Sequence, residues 1–293
     1  VLSLLLLLIS TTGYPQAPAS DLSSCTRLMQ QLSALDTKMP VAKSGDWLSE
    51  HPEPGQSFGQ YVKSDPKKGN GRRTVIYLKP VGSFTAREQE ILKANREYLE
   101  AFFGLEIKTL EPLPLKSISK KAIRKQKGGI QILTSYINYQ VLYPRLPEDA
   151  AALMAVTATD LYPNEQWNYV FGEADQVNRI GVSSMARFGS KEKDSSTFLL
   201  CLKRLNKTTS HEIAHMLSMD HCIHASCSMN GSNHLEEADS QPLHLCSECS
   251  AKLSWRLGYD AGKRLEKILQ YARKYSFAEE ESYCQKALAL IHQ

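Results

Sequence analysis

The sequence predicts a single compact α/β domain built on a mixed sheet with an antiparallel edge strand. Three observations lead there. Short β-branched and apolar runs at residues 74–81 (TVIYLKPV) and 153–161 (LMAVTATDL) are separated by a long segment of helical spacing. Two shorter apolar runs around a polar turn then follow as a hairpin-like pair. The 293-residue chain is 42% hydrophobic and 23% charged, enough for one sizeable core, and it has no repeat or low-complexity linker to divide it.

Taken in order, residues 1–40 are expected to hold a leader and then a short helix near residues 25–35. The leucine-rich run at residues 2–9 has the character of a signal-peptide core, with residues 17–20 (APAS) as a candidate cleavage site. It is too short to span a membrane. Residues 49–72 are rich in Pro, Gly and charge, the signature of a surface loop. Residues 74–81 predict a buried strand. Residues 84–103 predict a helix with Ile91, Leu92, Tyr98, Leu99 and Phe102 on one face and Gly104 as its stop. Residues 105–110 and 130–133 are further strands, and 153–161 is a stronger one closed by Pro163. Residues 169–172 and 180–184 are expected to pair around a turn at 173–179, with 180–184 as the exposed edge. Residues 196–219 read as helix, and 252–288 as one or two amphipathic helices.

The formal net charge of +4, from 35 basic and 31 acidic residues, is too weak a bias to imply nucleic acid. The densest basic stretch, residues 116–127, has no interleaved aromatics and reads as a solvated loop. No nucleic-acid or membrane partner is therefore expected. Four of the seven cysteines fall within the 28 residues from Cys222 to Cys249. Clustering of this kind favours a metal in a reducing compartment over a disulfide framework, hence an intracellular protein, although the leucine-rich start is compatible with secretion. The sequon at Asn206 lies just ahead of the candidate site and is expected to be unused.

The chemistry concentrates in residues 208–229, TTSHEIAHMLSMDHCIHASCSM. His211 and His215 are four apart, so on a helix their rings project about 40° apart around the axis and can share one ion. Glu212 lies about 100° round, within reach of a water on that ion without ligating it. The five residues alone recur by chance as ordinary surface or core positions. A third histidine, His221, follows six residues after the second and completes a three-imidazole zinc set, provided the chain leaves the helix near Ser218. Glycine is the usual residue at such an exit. Asp220 and His224 are the alternatives to His221. Cys222 and Cys227 enclose four residues, Cys246 and Cys249 enclose two, and 18 residues separate the pairs. Two short thiolate pairs suit a closed structural zinc site with four cysteine ligands; two disulfides or four unrelated thiols are the bland reading. Met229 can floor a three-histidine site or be an ordinary core residue. His234, Glu236, Glu237 and Asp239 either line a cleft or, as expected here, cap a short helix.

The segment HEIAHMLSMDHCIHASCSM, continued by GSNHLEEADSQPLHLCSECSAKL, resembles the archaemetzincins, whose HExxHxxGxxHC signature runs into CxxxxCxM and then CxxC. TVIYLKPVG, ATDLYPNEQWNYVFGEA and GVSSMARFG are similar to strand segments of that family, so the resemblance spans residues 45–260. Ser218 stands where the family has glycine, and the segment from Gly189 to Ser210 is short for an animal member. The resemblance implies a metzincin-like domain over 45–262, preceded by a leader or poorly defined segment (1–44) and followed by a helical extension (263–293). It implies one catalytic zinc on His211, His215 and His221. It also implies a structural zinc on Cys222, Cys227, Cys246 and Cys249 that clamps the C-terminal region, and no signal peptide.

The expected activity is peptide-bond hydrolysis through zinc-activated water with Glu212 as general base. Aminopeptidase-like action on small peptides is what the resemblance implies for some members. A peptide or protein is the expected substrate and a monomer the expected state. The alternative is a catalytically silent, zinc-stabilised protein-binding module on a protease scaffold, in which Ser218 leaves His221 misplaced.

Overall fold

The computed structural model describes residues 21–64, 73–190 and 195–293. The leucine-rich start and residues 65–72 of the expected loop lie outside them. Helix α1 (Leu22–Leu32) and two short helices, α2 (Trp47–Glu50) and α3 (Phe58–Ser64), precede β1 (Val75–Val81), α4 (Ala86–Phe103) and β2 (Glu106–Thr109). Next come β3 (Ile123–Gln126), β4 (Gly129–Leu133) and α5 (Thr134–Tyr136), which runs into a π-helical turn at Ile137–Leu142. Strands β5 (Ala150–Thr157), β6 (Asp160–Tyr162), β7 (Gly172–Asp175) and β8 (Ile180–Ser184) follow. The chain ends in α6 (Ser195–Met216), α7 (Leu235–Ser240), α8 (Ser247–Leu257), α9 (Ala261–Lys274) and α10 (Ala278–Ile291).

Local chemistry explains the best-defined elements. Thr85 and Glu88 form a reciprocal capping box at the start of α4, and Gly104 ends the helix at φ 64°. The β1 side chains alternate between the two faces of the sheet. Ile76 and Leu78 join the core beneath α4 and α6, while Val75, Tyr77 and Val81 join a second core under the π-helical turn.

The main sheet runs β2-β1-β5-β8-β7, with every pairing parallel except β7 against β8. A mixed sheet with an antiparallel edge is thus present, but its edge is β7. Residues 180–184 are interior: β8 lies between β5 and β7, and all five of its residues are buried. The strand predicted at 169–172 is displaced onto 172–175, where Gly-Glu-Ala-Asp reads as a turn because an edge strand tolerates half-buried polar residues.

The run 153–161 is not one strand. At Thr157 the hydroxyl accepts from Thr159 N at 3.1 Å, turning the chain out of the main sheet and into β6. β6 belongs to a second, three-stranded sheet, β3-β4-β6. The basic stretch 116–127 is not a solvated loop either. It forms a 3-10 turn at Lys120–Ala122 and then β3, anchored by buried Ile118 and Ala122. The C-terminal region makes three helices, because Gly258 (φ 68°) stops α8 and Asp260 caps α9 through Lys263 N at 3.0 Å.

A buried polar knot sets the position of α6. Asn95 on α4 donates to Asn206 Oδ1 (3.0 Å) and Thr209 Oγ1 (2.8 Å), and Asn206 donates to the Tyr271 hydroxyl of α9 (2.9 Å). The sequon asparagine is therefore fully buried.

Candidate metal centre and cleft

The last turns of α6 carry His211, Glu212 and His215. The four-residue spacing puts both rings on one face, with centroids 4.5 Å apart and their Nε2 atoms 2.9 Å apart. The helix then ends in a Schellman motif: Met219 N reaches Ala214 O (3.1 Å) and Ser218 N reaches His215 O (2.8 Å). Ser218 takes the left-handed position itself, at φ 70°. The Tyr61 hydroxyl donates to Leu217 O at 2.7 Å, and Gln56 Nε2 donates to Ser218 O at 3.2 Å, bracing this exit. The turn brings the ring of His221 to 5.1 Å from His211 and 4.8 Å from His215, centroid to centroid.

Each ring has its Nδ1 engaged. His211 Nδ1 faces Ser228 O at 2.9 Å, His215 Nδ1 faces Met219 O at 2.6 Å, and His221 Nδ1 faces both oxygens of Glu53 at 2.9 Å. All three partners only accept, so the proton belongs on Nδ1 and Nε2 is left bare. Burial holds His211 well below the usual imidazole range and His215 down to about 4, and the neighbouring imidazoles add to this. With one ligand-capable atom from each ring within 4.8 Å of the others, the three imidazoles could hold a metal ion, and the set fits a zinc with an open position.

Glu212 is 9% exposed, and burial pushes its carboxyl up to about 8, with Glu173 adding to the shift. It lies against the edge strand. A Cβ at Gly172 would stand 2.8 Å from its Oε1, so β7 approaches this closely only because residue 172 has no side chain.

The alternative third ligands lie elsewhere. Asp220 is exposed and bonded to Gln56 and Gln176, while the His224 side chain is 53% exposed beside Asp36 and Glu248.

The four clustered cysteines converge. Their Sγ atoms are buried and lie within 4.8 Å of one another, with Cys222 and Cys246 3.6 Å apart. A disulfide requires about 2.05 Å, and all seven cysteines are free. Sulfurs tetrahedrally placed about 2.3 Å from a zinc are about 3.8 Å apart, so the donor set fits. Backbone N–H groups of Met229 (3.4 Å) and Cys246 (3.3 Å) point at Cys227 Sγ. Asn230 closes the loop by donating to Cys222 O (2.7 Å) and Ala225 O (3.0 Å). Met229 is buried beside this cluster, its carbonyl accepting from Cys222 N at 2.7 Å.

His234 is the N-cap of α7, its Nδ1 accepting from Glu237 N at 3.2 Å, so it caps the short helix as expected, while Asp239 lines the cleft. The carboxylate of Glu237 takes the backbone N–H groups of Trp47 (2.9 Å) and Asn233 (2.7 Å).

Above the three imidazoles opens a cleft of roughly 600 Å³, with Trp47, Trp167, Phe171 and Leu235 among its walls. Along its wall Arg204 pairs with Asp239 at 2.6 Å. Lys207 donates to the carbonyls of Ala238 and Gln241 at the end of α7, and burial pulls its amine down to about 7. Sequence reasoning missed Trp47, Glu53, Gln56 and Gly172. None belongs to a local pattern, and Glu53 lies 168 positions from the histidine it meets.

Three imidazoles converging at the end of a helix, beside a buried glutamate and the edge of a mixed sheet, define a metallopeptidase-like centre, and comparison with known proteins agrees. Residues 147–255 match Peptidase family M54. The chain is 31% identical to archaemetzincin-2 of Mus musculus, over 90% of this chain and 82% of the mouse protein, and 32% identical to archaemetzincin-2 of Homo sapiens over the same shares. The crystal structure of archaemetzincin from Methanopyrus kandleri superposes with a TM-score of 0.50 at 25% identity, covering 64% of this chain and 98% of that one. The chain belongs to the archaemetzincin family of zinc metallopeptidases. Among the described residues no helix is long and apolar enough to cross a membrane.

Proposed function

We propose that this chain hydrolyses peptide bonds with a zinc held by His211, His215 and His221 and with Glu212 as general base. A second, structural zinc sits on Cys222, Cys227, Cys246 and Cys249. The observation that carries the reading is the convergence of three imidazoles whose Nδ1 atoms are all committed elsewhere. When bound, the catalytic zinc supplies a Lewis acid that makes water easier to deprotonate and polarises the scissile carbonyl.

The protein's own groups supply the rest. Glu212 follows His211 on the helix and opens into the same cleft, where a cation held by the imidazoles would offset the burial that raises its pKa and favour the carboxylate, so that it would take a proton from the attacking water and return it to the leaving amine. The backbone of β7, at the sheet edge, hydrogen-bonds an extended substrate as an added strand. The substrate is a peptide or protein, and the family resemblance supports aminopeptidase-like action on small peptides. A zinc held by Cys222, Cys227, Cys246 and Cys249 would clamp the chain after His221 to the start of α8, for which Cys246 is the N-cap.

Residues 45–262 form the metzincin-like catalytic unit and 263–293 a helical extension. The protein works as a monomer in an intracellular, reducing compartment, a placement supported by its seven free cysteines. The alternative is a silent binding module in which imperfect geometry after Ser218 forfeits rate before it forfeits metal; tight zinc with no cleavage of any library peptide would favour it.

The test is Glu212→Gln, assayed on a peptide library with zinc quantified in parallel. Turnover is expected to fall at least about 100-fold with zinc content unchanged. A rate close to that of the parent would remove Glu212 from the chemistry.

A further inference from the structure

The segment from Asp46 to Gln56 lies outside residues 147–255, the stretch matched by the Peptidase family M54 model, yet it contacts both the ring of His221 and the backbone that delivers it. On the ring itself, both Glu53 oxygens stand 2.9 Å from Nδ1. The Trp47 indole N–H donates to Glu53 Oε1 at 3.0 Å, and the same indole meets the His221 ring edge-on with centroids 5.0 Å apart. Trp47 is held in turn. Its backbone N–H binds Glu237 at 2.9 Å, and its ring lies so close to Gly231 that a Cβ there would come within 2.4 Å. On the backbone that delivers His221, Gln56 donates to Ser218 O (3.2 Å) and accepts from Asp220 N (3.3 Å). The side chains of Glu53 and His221 are only 26% and 16% exposed.

His211 and His215 have their rings fixed by backbone carbonyls of the 215–228 region. His221, on a non-helical stretch beyond a left-handed serine, has no such carbonyl and takes a carboxylate from the far N-terminal strap instead. We propose that Glu53 is the positioning residue of the third metal ligand: its carboxylate accepts the Nδ1–H of His221, fixing the tautomer and holding Nε2 toward His211 and His215. The proposal rests on the three-histidine zinc reading above. It assigns the strap a role in metal binding, with Trp47 orienting the carboxylate.

The test is competition of the full-length, zinc-loaded protein against a chromophoric chelator, with Glu53→Ala, Glu53→Gln and His221→Ala compared with the parent. Loss of an outer-shell partner weakens metal binding about 10–100-fold. Glu53→Ala is therefore expected to weaken one zinc per chain by that factor and leave the other unchanged. Glu53→Gln, which keeps an acceptor for Nδ1–H, recovers a large part of the loss. Cobalt substituted at the weakened site should show altered visible bands in Glu53→Ala. Glu53→Ala binding both zinc ions within twofold of the parent, while His221→Ala loses one, would overturn the positioning role. Equal losses in the Ala and Gln variants would overturn it too, by showing that the Nδ1–H acceptor does not matter. A His221→Ala protein that keeps both zinc ions at parental affinity would remove the three-histidine site, and this proposal with it.

Discussion

Ser218 adopts the φ of a glycine, and its neighbours show how the structure accommodates it. At φ 70° a residue with a Cβ costs about 1–2 kcal/mol. The Schellman bonds to Ala214 and His215 and the brace from Gln56 offset that cost locally. Ser218→Gly relieves it, less the entropy glycine adds to the unfolded chain, and should stabilise the protein by about 0.5–1 kcal/mol. The urea midpoint of the zinc-loaded protein checks this, and an unchanged or lower midpoint would show that serine is not strained there. Histidines four apart, a glutamate between them and two short cysteine pairs are legible in the sequence because chelation by neighbouring residues is a local property. Glu53 is not legible: a single carboxylate in a Pro- and Gly-rich stretch has no signature until the fold brings it 2.9 Å from His221.

At the scale of elements, the sequence marks strands and helices by periodicity but does not order them. The α4 helix is readable to its cap and stop, since Thr85, Glu88 and Gly104 all act within the helix. The edge strand is misassigned because β8 ends in two serines and so reads as partly exposed although all five of its residues are buried, while β7, the true edge, is Gly-Glu-Ala-Asp and reads as a turn. The split between β5 and β6 turns on one threonine hydroxyl. What no pattern reveals is the knot joining α4, α6 and α9 through Asn95, Asn206 and Tyr271. Asn95→Ala removes two donated bonds from this buried site and is expected to cost about 1–3 kcal/mol. Thermal unfolding measures it, and a loss below a few tenths of a kcal/mol would mean that apolar packing alone seats α6.

For the whole molecule, the two ends of the described chain close over one core. Cys25, Leu28 and Leu32 of α1 and Cys284 and Ala287 of α10 join the same apolar cluster as the α6 residues behind the histidines. Composition indicates that a core of this size can form, but the contact between α1 and α10, marked by Gln31 Nε2 on Leu290 O at 3.2 Å, is too distant in sequence to be read there. The second sheet escapes notice for a similar reason, since β3 lies in a stretch whose charge suggests solvent. The mixed sheet and its covering helices seat α6, the cysteine cluster lies on the chain beyond it, and the strap from the N-terminal side meets the ring of His221. The most direct test is an X-ray anomalous difference map of the zinc-loaded crystal, recorded on both sides of the zinc edge. Two peaks are predicted, one bounded by Nε2 of His211, His215 and His221 and one amid the four cysteine sulfurs. A map with no peak at the three imidazoles would contradict the account.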